Sequence, residues 1–500
     1  MRPSVLAEDL GATARARPDA PAVVTAEESV SYADLDRRVD AAATELRRLG
    51  VARGDRVAIV MSNGIPMVVT VYAILRAGAA FSPISPEIVP AKLERILLDV
   101  GAAAAVCEAG TREKVSAAAP AGTTIVDGEA EATAEPGADF VPMVGPDLAA
   151  VIYTSGSTGE PKGVTLTHGN MSFVADSIIE SIDMDGSDRI LCVLPLYFGY
   201  GLYQLLACVR LGATLVLEPG LGAAGRIVQL FEEQRITGFA AVPTIYQLLL
   251  SLPGIGEREL PHLRFLTNAG AGLPTPVVEA VREAFPGARL YLMYGQTECQ
   301  RVCRLPPEEV DSSPDSVGTA IPGTEAWVED EDGEVAAPGV VGELMVRGAH
   351  VMQGYWGNEE ATARRLRPGR WPWERVLATG DLFRADDRGY LYFVGRRDDI
   401  IKSRGQKVAP REVEEVLHAF PGVRDAAVVG VPDRLLGEAV HAHVSAEAGV
   451  ELDANELRRH CAESLESHMV PKRVVVHSEL PRIGSGKIDR RTLAGRTTDG

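Results

Sequence analysis

Apolar positions along the first three hundred residues follow two alternating periods. Ser31 to Gly50 spaces its apolar residues as a helix does, with Ser31 or Asp34 placed to cap it and Gly50 to stop it. Arg56 to Met61 is a short apolar run of the kind that forms a buried strand. Leu148 to Tyr153, ILCVLP (190 to 195), TLVLEP (214 to 219) and FAAVP (239 to 243) read the same way, with helical IVQLFEEQ (227 to 234) between the last two. Strand and helix patterns in alternation predict βαβ units and largely parallel sheets. Residues 64 to 83 come nearest to membrane-spanning length, but Pro66, Arg76 and several glycines interrupt them, so they predict a buried helix.

The texture changes from about residue 335, where Gly, Pro and turn signals become dense. Short strands are expected at GELMVRG (342 to 348) and GYLYFVG (389 to 395). After residue 400 comes a compact α/β pattern: helix PREVEEVLHAF, strands DAAVVGVP and AVHAHVSA, helix ANELRRHCAESL and strand KRVVVHSEL. About 100 residues suffice for a small independent domain, and the boundary is expected within Arg396 to Asp399. The Ala- and acid-rich stretch 127 to 139 predicts an exposed loop.

Composition narrows the function classes. With 46% hydrophobic residues in 500, large cores can form. A formal charge of −19 opposes non-specific nucleic-acid binding, which needs a basic footprint. An anionic nucleotide must therefore be captured by local donors and a cation. The six cysteines contain no CxxC pair, which disfavours zinc or a disulfide framework and points to thiols in a reducing cytoplasm. The N-terminal stretch has no apolar core of signal-peptide length.

Residues 153 to 163, YTSGSTGEPKG, carry the strongest chemical signal. Gly156 and Gly159 permit close backbone approach to a ligand, and successive N–H groups make an anion-binding concavity. Thr154, Ser155, Ser157 and Thr158 add hydroxyls, and Lys162 adds a positive charge. This suits a polyphosphate, although the segment is not a GxxxxGK[ST] loop. The competing reading, a flexible Gly/Ser linker, is opposed by the apolar runs on both sides.

Three weaker signals follow. YGQTE (Tyr294 to Glu298) follows an apparent strand, where α/β sheets present ligand sites. Tyr294 offers an aromatic face, Thr297 a hydroxyl, and Glu298 a hard oxygen ligand for Mg²⁺. ATGD (Ala378 to Asp381) and GRRDD (Gly395 to Asp399) offer Asp381 and Arg396 for a sugar; a surface turn with an ion pair is the alternative. GSGKID (Gly484 to Asp489) holds Lys487 between small residues, with a solvated loop lysine as the alternative.

Occurring together in this order, these segments resemble the AMP-forming adenylating superfamily of acyl-CoA synthetases, stand-alone adenylation enzymes and beetle luciferase. PLYFGYG, TNAGAGLP, GELMVRG, ATGDLF, GRRDDIIKSRGQKVAPREVEEVL and LPRIGSGKIDRRTL extend the resemblance over nearly the whole chain. It implies an α/β fold: a large N-terminal domain of stacked α/β sheets plus a β-rich subdomain (1–396), and a small mobile α+β C-terminal domain (397–500). It implies that Thr154 to Lys162, through Ser155, Gly156, Ser157, Thr158 and Gly159, hold the β- and γ-phosphates of ATP. Tyr294 would lie against adenine near Asn268, Gly270 and Ala271. Thr297 would contact the α-phosphate, Glu298 would bind Mg²⁺, and Asp381 and Arg396 would hold ribose. Asp398 would be the hinge. Lys487 would bridge the substrate carboxylate and the α-phosphate, and Gly405 would line the thiol tunnel after domain rotation.

The resemblance places the acyl pocket at Phe198, Gly199, Tyr200, Gly201, Tyr246 and Gly295. Gly199 stands where members that activate α-amino acids place an aspartate, which disfavours such a substrate. The lining suits an aryl acid or a short-to-medium acyl chain. Arg301 is expected in a surface salt bridge, with contact to a polar substituent as the second reading. The implied reaction makes an acyl-adenylate and passes the acyl group to coenzyme A or to carrier-protein phosphopantetheine. The alternatives are a non-thiol nitrogen acceptor and a non-catalytic nucleotide-binding protein. The expected partners are a small carboxylic acid and possibly an acyl carrier protein, with no nucleic acid and no membrane span, in a cytoplasmic monomer or homodimer.

Overall fold

A computed structural model describes residues 5–130, 141–155, 161–220, 222, 224–403, 406–433, 436–483 and 487–496. Gly156, Ser157, Thr158, Gly159, Gly405 and most of the expected 127–139 loop lie outside the described residues. Helix Tyr32–Arg48 begins where Ser31 accepts a hydrogen bond from the Asp34 amide at 3.2 Å. Such a cap is worth ~1 kcal/mol. The chain leaves that helix through Gly50, whose φ of 95° favours glycine.

The alternation of periods produces two α/β sheets. In one, strands Arg289–Tyr294, Phe265–Asn268, Gly238–Ala241, Arg189–Cys192, Thr214–Leu217 and Pro21–Val24 run parallel, with antiparallel strands at both edges. In the other, Leu148–Ser155, Ala80–Ile84, Arg56–Val60, Ala102–Cys107 and Thr124–Asp127 run parallel. Pro161–Thr167 folds back antiparallel on Leu148–Ser155, and Gly354–Tyr355 pairs beyond it. Helix Ile65–Arg76, from the long apolar stretch, is almost wholly buried and joins the core that packs the two sheets. Among the described residues no helix is long and apolar enough to cross a membrane.

A third, antiparallel sheet orders Thr324–Glu329, Gly342–Gly348, Arg375–Ala385 and Leu366–Pro368, with Leu391–Arg396 paired to Arg375–Ala385. A short turn, Arg397–Asp399, then leads into the smaller C-terminal domain. Its sheet orders Gln406–Val408, Ile401–Ser403, Gly437–Ala446 and Val423–Asp433, and Arg473–His477 pairs with Gly437–Ala446. Helices Pro410–His418 and Ala454–Ser464 contribute Val413, Leu417, Leu457 and Cys461 to a separate apolar core.

Candidate active site

The site gathers at the ends of parallel strands, where the chain turns out of the first sheet. Strand Arg289–Tyr294 delivers Tyr294, and residues 295–300 then form a tight turn. Gln296 O accepts the amides of Cys299 and Gln300, and Gln300 takes a positive φ of 57°. That is uncommon for a residue with a Cβ. Gly295 makes the turn possible, because a Cβ there would stand 1.6 Å from Gln300 O.

Tyr294 donates to Asp381 Oδ2 at 2.6 Å, and its ring meets Phe383 edge-on at 4.8 Å. Asp381 Oδ1 accepts from Arg396 Nε at 3.2 Å. The two residues face each other across strands Arg375–Ala385 and Leu391–Arg396, so the register of the third sheet creates the pair. Gly380, at φ 72°, turns the backbone just before Asp381, and its amide donates to Glu343 Oε1 at 2.9 Å. Glu343 Oε2 also accepts from Arg367 at 3.0 Å and from Arg397 at 2.8 Å.

The segment expected to hold phosphate lies on two antiparallel strands in which Thr154 is opposite Lys162 and Ser155 opposite Pro161. Lys162 Nζ lies over the ring of Tyr355, 5.4 Å from its centroid. The same tyrosine donates to Glu298 Oε1 at 2.7 Å. Met352 N donates to Glu298 O at 2.8 Å, which fixes the backbone of the turn as well. Burial, followed by the Glu298 carboxylate, raises the Tyr355 pKa, so its phenol stays a donor at neutral pH. Sequence reasoning missed Tyr355; its signal was GYWG (354 to 357), glycines around aromatics shortly after the GELMVRG strand.

Lys487 comes from the C-terminal domain. A Cβ on Gly270 would stand 3.9 Å from Lys487 Cε, so the lysine arches over the turn after strand Phe265–Asn268. It is accessible from the cleft, yet protein crowds its ammonium. Desolvation and then Arg396 lower its pKa, and Asp381 opposes them. Asn268 is buried, with Nδ2 3.5 Å from Ala241 O, whereas Gly270 and Ala271 are exposed. Asp398 is exposed in the Arg397–Asp399 turn.

Among the residues expected to form the acyl pocket, Tyr200 Oη and Thr267 Oγ1 are 2.7 Å apart. Both Tyr200 and Tyr246 donate to Thr267 O at 2.9 Å. Tyr246 is fully buried, while Phe198, Gly199 and Tyr200 are partly accessible and Gly201 is buried. A Cβ on Gly199 would meet Gln300 Oε1 at 2.5 Å, and one on Gly201 would meet Pro195 O at 2.3 Å. The expected surface salt bridge of Arg301 is corrected: the residue is 6% exposed and pairs with no carboxylate among the described residues. The positive φ of Gln300 immediately before it sends the chain back toward the interior, which spacing did not reveal.

The arrangement suits a metal-bound nucleotide. Mg²⁺ is commonly held by one or two carboxylates together with substrate phosphates. Glu298 supplies such a hard oxygen donor beside the strand pair expected to hold phosphate, and among the described residues no cluster of three His, Cys, Asp or Glu competes for a metal.

Known proteins share this design. The profile of the AMP-binding enzyme family matches residues 10–356, and that of the AMP-binding enzyme C-terminal domain matches 412–487. A feruloyl-CoA synthase of Amycolatopsis sp is 35% identical over 95% of both chains. An L-proline--[L-prolyl-carrier protein] ligase of Pseudomonas fluorescens is 31% identical over 95% of both. ATP-bound MatB from Rhodopseudomonas palustris superposes with a TM-score of 0.92, 29% identity and coverage of 100% and 99%. o-Succinylbenzoate coenzyme A synthetase from Bacillus subtilis, with ATP and magnesium, gives a TM-score of 0.87, 30% identity and coverage of 97% and 99%. The chain belongs to the AMP-forming adenylating superfamily, as an acyl-CoA synthetase-like ligase.

Proposed function

We propose that the chain converts a carboxylic acid to its acyl-adenylate with the residues gathered in the cleft, then transfers the acyl group to coenzyme A. One observation carries this reading. Lys487 of the C-terminal domain reaches the Gly270 turn and senses both Asp381 and Arg396, so a single cation stands between the nucleotide side and the acyl side of the cleft. In the first step a carboxylate oxygen attacks the α-phosphorus, the bond to pyrophosphate breaks and the acyl phosphate bond forms. Two anions must meet, so positive charge placed in advance is the main requirement.

Lys487 neutralises the incoming carboxylate and the α-phosphate, and Thr297 donates to that phosphate. Lys162 and the hairpin around it, with Thr154 at its edge, hold the departing pyrophosphate. Glu298 holds Mg²⁺, which when bound offsets charge on the phosphates. Asp381 and Arg396 hold the ribose, and Tyr294 presents its ring to adenine. In the second step the thiol attacks the acyl carbon and AMP leaves. The division at residues 396–397, with a pivot at Asp398, lets the C-terminal domain withdraw Lys487 and bring Gly405 in. Coenzyme A is favoured over a carrier protein by the higher identity to the feruloyl-CoA synthase. Every residue invoked lies on one chain, so a monomer suffices. A cytoplasmic setting suits the buried free thiols.

The test is pyrophosphate release across a panel of carboxylic acids, repeated with coenzyme A and with a phosphopantetheinylated carrier protein. AMP-linked thioester formation with coenzyme A supports the reading. Pyrophosphate release without a thioester on either thiol would turn it toward a nitrogen acceptor.

A further inference from the structure

Arg301 is a buried cation beside Tyr200, one of the residues expected to form the acyl pocket. Its residue surface is 6% exposed, and no described carboxylate pairs with it. Buried charges in folded proteins are paired, bound to a ligand or neutralised, and a guanidinium does not deprotonate in a protein. What surrounds Arg301 cannot neutralise it. The guanidinium touches the Met293 sulfur and lies 6.0 Å from the centroid of the Tyr200 ring. Burial lowers its pKa, and Tyr200 opposes that.

The backbone is shaped to hold it there. Gln300 adopts the left-handed region just before it, a conformation a side chain resists. Gly295 leaves room for that turn, since its Cβ would stand 3.1 Å from Arg301 Cα. Gln300 also donates from Nε2 to Thr297 O at 2.9 Å, tying Arg301 to the residue assigned to the α-phosphate. Tyr200, beneath the guanidinium, is fixed by Thr267, whose carbonyl also anchors Tyr246.

We propose that Arg301 binds a second carboxylate on the acyl substrate, so the enzyme activates dicarboxylic acids at one end and grips them at the other. This rests on the ligase reading above and adds the class of acid. The far carboxylate enters the Tyr200–Arg301 corner, and the near one meets Lys487. A planar guanidinium offers two parallel donors to one carboxylate, which suits a role in selection.

The experiment compares acid pairs that differ by one terminal carboxylate, such as pentanoate with pentanedioate and 4-phenylbutanoate with its para-carboxy derivative. Pyrophosphate release is measured for the wild type, Arg301→Lys and Arg301→Met. Wild-type kcat/KM is expected to favour the dicarboxylates by ~100-fold or more, because a site built around a polar group rejects the analogue lacking it. Arg301→Met should abolish that preference through KM for dicarboxylates while keeping or raising turnover of the monocarboxylates. Arg301→Lys should keep part of the preference. Turnover of monocarboxylates by Arg301→Met also shows that the variant folds. If the wild type uses both members of each pair equally, or Arg301→Met depresses both equally, the dicarboxylate assignment falls and the ligase reading stands. If no acid releases pyrophosphate, the ligase reading falls and takes this inference with it.

Discussion

Tyr355 joins Glu298 through a 2.7 Å hydrogen bond while its ring underlies the Lys162 ammonium, so one side chain couples the carboxylate proposed to hold Mg²⁺ to the strand pair proposed to hold phosphate. Tyr355→Phe keeps the ring and removes the O–H. Outer-shell partners of this kind are worth 10–100-fold in metal affinity. The Mg²⁺ concentration for half-maximal pyrophosphate exchange should rise ~10-fold, within the range for lost outer-shell partners. Tyr355→Ala should cost more and should also raise KM for ATP. An unchanged Mg²⁺ requirement in Tyr355→Phe would show that the bond is incidental.

The role proposed for Lys487 separates the two half-reactions. Lys487→Ala should lower adenylate formation by ~10²–10³, the range for removing one preorganised donor. It should largely spare thioester formation from supplied acyl-adenylate. The working form is the ammonium, and its pKa lies below the usual lysine value through desolvation and Arg396. The cation is therefore lost at a lower pH than an ordinary lysine would lose it, and adenylation should fall early on the alkaline side. Lys487→Arg should move that limb upward. A shared alkaline limb for both half-reactions would contradict the assignment.

An α-amino-acid substrate should stay closed to this enzyme even after a direct attempt to open it. A Cβ at Gly199 meets Gln300 Oε1 at 2.5 Å. Gly199→Asp should therefore push the Gln300 amide aside, break its hydrogen bond to Thr297 O and lower turnover of the native acid without creating amino-acid-dependent exchange. Measurable exchange with any amino acid would show that the turn yields more easily than its packing implies.

His350 gives stability a pH dependence. It is fully buried, stacks on Phe173 at 5.5 Å, and neither ring nitrogen has a hydrogen-bond partner. Burial takes its pKa from 6.5 down to about 4. Below pH 6.5 the unfolded chain binds the proton more readily, so this contribution is complete above that value and declines toward pH 4. The pKa difference corresponds to about 3 kcal/mol. His350→Phe should flatten the urea midpoint between pH 7 and pH 4 and cost little at pH 7. An equally steep acid decline in the variant would assign the effect elsewhere.

Asp398→Pro should impair thioester formation more than adenylation, because proline restricts both its own φ and the residue before it. Separate assays of the two half-reactions would show this, and equal losses would argue against a pivot at that position.

Much of this architecture was legible because the chemistry sits on words whose flanking periods are regular. Leu148 to Tyr153 and Ile190 to Pro195 read as strands, and both formed strands with ends shifted by a few residues. YGQTE was correctly read as following a strand. Side-chain direction was not legible. Nothing in the spacing of Arg301 tells that a positive φ at Gln300 turns it inward, or that Gly295 makes room for the turn. Tyr355 escaped for a related reason. Its partners are 57 residues away at Glu298 and across the sheet at Lys162, and only tertiary pairing brings them together.

Glu343 collects the Gly380 amide, Arg367 and Arg397 on one buried carboxylate. The last residue before Asp398 is thus bolted to the β-rich sheet, like the fixed leaf of a door hinge. Under the proposed pivot at Asp398, this anchoring would keep torsion out of the strand that carries Arg396. A stroke of the C-terminal domain, if it pivots as proposed, would then be written in the backbone angles of Asp398 and Asp399, and loosening Glu343 would blur its stopping points first.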